Sequence, residues 1–188
     1  CCFADCEGNK IKSVTGFQLT TYTWQKVEAD IFIDCSGDSI LAELVDAEYM
    51  VGREAKSTFG EEFGLPEADK KTMGMSLMIQ AHETDHKVDF IAPDWAYKFT
   101  TDEEMKFKPH ECLDKINTNF YWIELGGEAD SIHDTEKVRD ELLKVAYGVW
   151  DHMKNHGEHG ADNWELDFIG FLPGKRESRR YVGDYIMT

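Results

Sequence analysis

The chain has 188 residues, with 20 lysines and arginines against 37 aspartates and glutamates, a formal net charge of −17, and 41% hydrophobic residues. Its many aromatic side chains exclude disorder and supply the material of a core. The charge repels phosphate backbones and anionic bilayers, and no apolar run approaches the ~18–20 residues needed to cross a membrane, so neither nucleic acid nor membrane is an expected partner.

The sequence begins at Cys1, and its first methionine is Met50. No charged segment precedes an apolar one, so no signal peptide is read within this span, and the chain is taken as an excerpt of a longer polypeptide. The five cysteines are Cys1, Cys2, Cys6, Cys35 and Cys112. Their odd count and the lack of a C-x-x-C pair argue against a disulfide framework and against zinc. "CCFADC" is expected to be an apolar strand using Cys as a small buried hydrophobe. Reduced surroundings fit best, which favours the cytoplasm.

In chain order, "CCFADC" and "KIKSVTGFQLTTYTW" read as extended runs joined by a tight turn at "EGNK". A short apolar strand follows at Ile31 to Ile33 and stops at "DCSGD". Ile40, Leu41, Leu44 and Val45 then recur at helical spacing, so a helix is predicted from Asp38 or Ser39. Residues 48–72 read as a long polar connection. "MGMSLMIQAHE" is a predicted strand with apolar residues on both faces around Leu77 to Ile79. Residues 83–118 are expected to form loops with short helices, and "NFYWIEL" an aromatic strand. Val138, Leu142, Val145, Ala146, Val149 and Met153 make one apolar face, predicting a helix from Thr135 to His156 with Asp134 as cap and Gly157 as stop. "WELDFIGFLPG" is the last strand, and the fold class is α+β, a mixed or antiparallel sheet packed with helices.

Three constellations bear on chemistry. The first is "IFIDCSGD", where Ser36-Gly37-Asp38 lets a ligand approach the backbone near a helix N-terminus; a plain turn is the competing reading. The second is "WDHMKNHGEHG". His152 and His156 stand four apart on one helix face with His159 beyond, but no Glu completes an H-E-x-x-H pattern. Surface histidines at a helix C-terminus also complement its dipole, and no metal is expected here. The third is "GKRESRRYVGDY", which holds three of the five arginines. In an extended segment Arg176, Ser178 and Arg180 share one face and Glu177 and Arg179 the other, an arrangement that offers two guanidinium forks to a carboxylate or phosphate; a solvated charged turn is the competing reading.

Together, "IFIDCSGDSILAELVDAEYMVGREAKSTFGE", "ADKKTMGMSLM", "YGVWDHMKNHG" and "PGKRESRRYVGDYIMT" resemble the middle of the FAD-dependent oxidoreductases, a large bacterial family of which some members have been labelled xanthan lyases. The similarity runs from Val27 to Thr188. It implies a two-domain flavoprotein, with residues 1–47 part of a Rossmann-like FAD-binding domain and residues 48–188 a substrate-domain-like α+β region. It further implies FAD as cofactor of the parent protein, with Ser36, Gly37 and Asp38 near the dinucleotide. Arg176, Arg179 and Arg180 would steady an anionic group of a small substrate or of the cofactor, and His152 or His156 would serve as proton donor. No G-x-G-x-x-G occurs in these residues, and the FAD-binding segment expected after "GDY" is missing. The excerpt is therefore expected not to retain FAD and to be inactive by itself. The alternative is a non-enzymatic carbohydrate-binding or polysaccharide-processing module stacking sugars on Trp95, Tyr121, Trp122 or Trp164; the substrate and oligomeric state are left open.

Overall fold

The first three strands form an antiparallel meander, β1 (Phe3–Glu7), β2 (Lys10–Gln18) and β3 (Thr23–Glu28). The computed structural model describes residues 1–105, 108, 110, 113 and 120–187, and of residues 120–122 the backbone alone. Gly8, at φ 59°, makes the expected turn in "EGNK", since L side chains rarely take that backbone. A second turn, with Tyr22 at φ 55°, divides the long second run in two, so three strands form where the sequence suggests a hairpin. Cys1, Cys2 and Cys6 are exposed, contrary to the buried strand expected, because the faces of β1 and β3 are mostly solvated. Cys112 lies outside the described residues.

The strand expected at Ile31 to Ile33 does not form. Both isoleucines are about four-fifths exposed, at 79% and 82%, and the segment pairs with no strand among the described residues. An apolar alternation is a strand only when a ladder partner satisfies its backbone. The helix does form, as the short α1 (Ile40–Val45). The region read as a connection holds β4 (Tyr49–Val51) and α2 (Lys56–Phe59), and β4 pairs antiparallel with β9 (Arg179–Tyr181) near the other end of the chain.

That pairing sets the division of the chain. Residues 1–72 and 177–188 form one unit and residues 73–176 another. β4 and the Arg53–Asp69 bridge fall in the same unit as β9 and the meander.

The second unit is a sheet in the order β6-β5-β7 with β8 also on β5. Its strands are β5 (Met75–Glu83), β6 (Phe120–Leu125), β7 (Trp164–Ile169) and β8 (Gly174–Lys175), all antiparallel to β5. Met75, Leu77, Ile79 and Ala81 are buried while Met78 is exposed, so β5 has one core face, not two. That face is covered by α3 (Thr135–Asn155), whose bounds match the periodicity and which buries Val138, Leu142, Val145, Ala146, Val149, Trp150 and Met153 in the same cluster. Asp134 makes no side-chain cap; Thr135 instead donates to the Ser131 carbonyl at 2.7 Å. Of residues 83–118, Asp102–Met105 form a 3₁₀ turn, while 106, 107, 109, 111, 112 and 114–118 lie outside the described residues. No helix among the described residues is long and apolar enough to cross a membrane.

Candidate functional site

In the first unit the Ser-Gly-Asp turn and the arginine segment, read separately from the sequence, meet. Ser178 and Arg179 are both buried. Ser178 donates to Asp38 Oδ1 at 2.8 Å, Arg179 Nε donates to the Asp38 carbonyl at 2.9 Å, and Arg179 Nη1 pairs with Glu43 on α1. Ser39, in a left-handed conformation at φ 50°, is held by its hydroxyl donating to the Arg179 carbonyl at 3.1 Å. Arg180 turns the other way, donating to the Gly52 carbonyl at 2.7 Å and pairing with Glu54 and Glu177. Burial disfavours its charge, but the hydrogen bonds it donates to these two carboxylates win and raise its pKa.

The expected face shared by Arg176, Ser178 and Arg180 is therefore not formed. Only residues 179–181 are strand, and Ser178 and Arg179 point together at Asp38. The forks of Arg179 and Arg180 are engaged by the protein's own carboxylates and carbonyls.

The amides opening α1 are engaged too. Leu41 N donates to Asp34 Oδ2 at 3.0 Å, Ile40 N to Ser36 Oγ at 3.1 Å, and Ala42 N to the Tyr181 hydroxyl at 3.0 Å. A pyrophosphate would have to displace Asp34 to reach them, so this helix end does not fit a phosphate seat. What the turn offers is the backbone of Ser36 and Gly37, both exposed, with nothing within 4 Å of where a Gly37 side chain would begin.

Asp34 and Tyr181 lock this arrangement, the phenol donating to Asp34 Oδ2 at 2.5 Å. Burial works against the Asp34 carboxylate, but donation from Tyr181, from Ser36 and from the Leu41 amide holds its pKa well below the usual range. Burial and then the Asp34 carboxylate push the Tyr181 phenol up to about 12. Asp34 thus stabilises the fold above the unfolded carboxylate pKa of about 3.9, and this is lost as pH falls through the lower folded value. Tyr181 stabilises it below about pH 10, and this is lost as pH rises towards about 12. Tyr181→Phe is expected to remove the alkaline loss while lowering stability at neutral pH. Urea midpoints of both proteins between about pH 7 and 11 check this, and parallel profiles across that range would refute it.

In the second unit, Arg176 is exposed and makes no ion pair among the described residues, whereas Arg53, Arg139, Arg179 and Arg180 each do. It lines a cleft of about 740 Å³ with Met78, Phe168, Phe171 and Leu172. Ser76 and Met78 lie on the face of β5 opposite the residues that α3 covers, so the cleft is on the sheet's uncovered face.

His152 is not a surface residue: its exposure is 0%. Its Nδ1 donates to the Phe99 carbonyl at 2.9 Å, and its Nε2 lies 3.1 Å from Asp102 Oδ1 and 3.0 Å from His159 Nε2. His156, its expected neighbour on the helix face, pairs instead with Asp151 at 3.4 Å. Of the aromatic residues proposed for sugar stacking, Trp95 is half exposed and sits edge-on to Tyr147 at 5.0 Å, and Trp164 packs on the core. The side chains of Tyr121 and Trp122 lie outside the described residues.

These features define an α+β protein of antiparallel sheets, with Arg176 making no ion pair among the described residues at an apolar cleft and a glycine turn laced to an arginine strand. The chain belongs to the FAD dependent oxidoreductase family, whose model matches residues 3–188. Comparison with curated proteins and with solved structures gave no match.

Proposed function

We propose that the protein of which this chain forms part oxidises or reduces a small anionic substrate, and that the second unit is where that substrate is held. The observation that carries the reading is Arg176, an unpaired guanidinium at the rim of an apolar cleft, in a chain that belongs to an FAD-dependent family throughout its length. Bound FAD would supply the redox chemistry, hydride transfer between a substrate carbon and the flavin. The chain's own residues bind and orient. Arg176 presents a planar fork to a carboxylate or phosphate, and Phe168, Phe171, Met78 and Leu172 take the apolar remainder and exclude water.

Arg179 serves this function indirectly, by fixing the Asp38 end of the glycine turn for contact with the cofactor, while Arg180 holds the Gly52 carbonyl on the other side of β9. His152, sealed from solvent, takes no part as proton donor in this reading. The 188-residue chain by itself is proposed not to retain FAD. It contains no G-x-G-x-x-G, and the first amides of α1 are already bonded. Stoichiometric flavin on the purified chain would refute that point.

The test of the function uses the full-length parent. Its visible absorption before any cofactor is added should show a flavin, and a colourless folded protein that ignores added FAD would overturn the reading. Arg176→Ala should raise KM for the anionic substrate by roughly 10–100-fold, the worth of a charged hydrogen bond. The urea midpoint should be unchanged, because Arg176 is exposed and unpaired.

A further inference from the structure

We infer that Asp102, His152 and His159 form a site for a divalent transition-metal ion, best matched to zinc. The three ligand atoms converge from separate elements: Asp102 from the 3₁₀ turn, His152 from the last turns of α3, and His159 from the loop beyond it. The edges of the triangle are 3.0 Å (His152 Nε2 to His159 Nε2), 3.1 Å (His152 Nε2 to Asp102 Oδ1) and 3.7 Å (His159 Nε2 to Asp102 Oδ1). Ligands at ~2.0–2.1 Å from a tetrahedral zinc are about 3.3 Å apart, so the spacing is that of three corners of one coordination shell.

The hydrogen-bond inventory points the same way. A carbonyl only accepts, so the Phe99 carbonyl at 2.9 Å fixes the proton of neutral His152 on Nδ1. Its Nε2 then presents a lone pair, and it faces a carboxylate oxygen and a second imidazole nitrogen. One proton can serve one edge of this triangle at a time; a cation at its centre serves all three groups. The Phe99 carbonyl is at the same time the outer partner that fixes the ring orientation of a metal-bound histidine. Two imidazoles and a carboxylate suit zinc.

The surroundings are built, and they are reachable. Lys154 Nζ donates to the carbonyls of Ala161 at 2.7 Å, Asp162 at 3.0 Å and Trp164 at 2.8 Å, which secures the chain just beyond His159. Gly160, at φ 64°, permits the bend that returns the chain, and Gly157 has His159 Nε2 only 2.2 Å from where a side chain would begin. The His152 and His159 side chains are sealed, but the Asp102 side chain is 67% exposed. An ion can enter on the Asp102 side, where water would complete the fourth position. The ion would join the 3₁₀ turn, the end of α3 and the following loop into one body. Nothing in this site depends on FAD.

The test uses the whole chain, stripped with chelator and titrated with zinc chloride by calorimetry and with cobalt chloride by visible spectroscopy. A single ion should bind, with cobalt giving the intense bands of tetrahedral coordination. Asp102→Asn should weaken binding by about 10–100-fold or more and leave the metal-free urea midpoint near that of the wild type. His159→Gln should abolish the tetrahedral spectrum, whereas His86→Gln, at an exposed histidine elsewhere, should change neither affinity nor spectrum. The inference is overturned by failure to bind a single ion, by weak octahedral cobalt bands, or by Asp102→Asn binding as tightly as the wild type.

Discussion

Gly148→Ala is expected to destabilise the second unit by about 2–4 kcal/mol, against the sign that helix propensity gives. In the interior of an exposed helix, alanine in place of glycine gains about 1 kcal/mol. Here the added carbon would lie 2.4 Å from the Tyr97 carbonyl oxygen and 2.9 Å from the Phe99 ring. The first is backbone and no rotamer change can clear it. The segment carrying Tyr97 must retreat, straining its amide bond to the Lys144 carbonyl (3.1 Å) and the Phe99 carbonyl's bond to His152 (2.9 Å). Urea denaturation of the two proteins decides it: a lower midpoint with unchanged slope supports the close approach, and a higher one refutes it.

Arg179→Ala is expected to cost the first unit about 1.5–3 kcal/mol, the scale for losing hydrogen bonds made by a charged group, since its partner carboxylate on Glu43 is half exposed. The guanidinium is 6% exposed and serves the Asp38 carbonyl and Glu43 at once. Its loss leaves a carbonyl of the glycine turn without its donor, and α1 without its tie to β9. Arg179→Lys should recover only part of the loss, since an ammonium cannot reach both partners as a planar fork does. Hydrogen exchange should speed at the amides of β4 and β9 in the variant. Equal exchange and an equal urea midpoint would instead leave Arg179 free for a ligand-facing role.

What could be read from the sequence is what is local. The apolar spacing of Val138 to Met153 placed α3 closely, and the apolar run in "MGMSLMIQAHE" placed β5 without telling which of its faces is the core face. Gly8 marked the first turn. Illegible were the features made by distant partners. Ile31 to Ile33 carries strand residues, yet strand formation depends on what lies beside it. Ser178 and Asp38 are 140 residues apart, so two motifs weighed separately are one structure. Asp102 and His152 are 50 residues apart, and helical spacing directed attention to His156 in place of His159. The signal that was available there is "GEHG", glycines on either side of His159 that allow the chain to fold back. The clustering of arginines is visible in composition, but composition has no means of saying which of their forks are already occupied.

The first and last strands of the second unit lie side by side, Met75 opposite Lys175 and Ser76 opposite Gly174. The partners that close the first unit, such as Ser39 and Arg179, are separated by 140 residues of chain. Bringing such remote ends together in an unfolded chain is entropically costly and slow. Once β5 and β8 have paired, however, most of that chain has been drawn into a knot with adjacent ends, and the search left for β4 and β9 is short. The expected order of assembly follows: the inserted unit forms first, and the split unit, with its glycine turn, locks last.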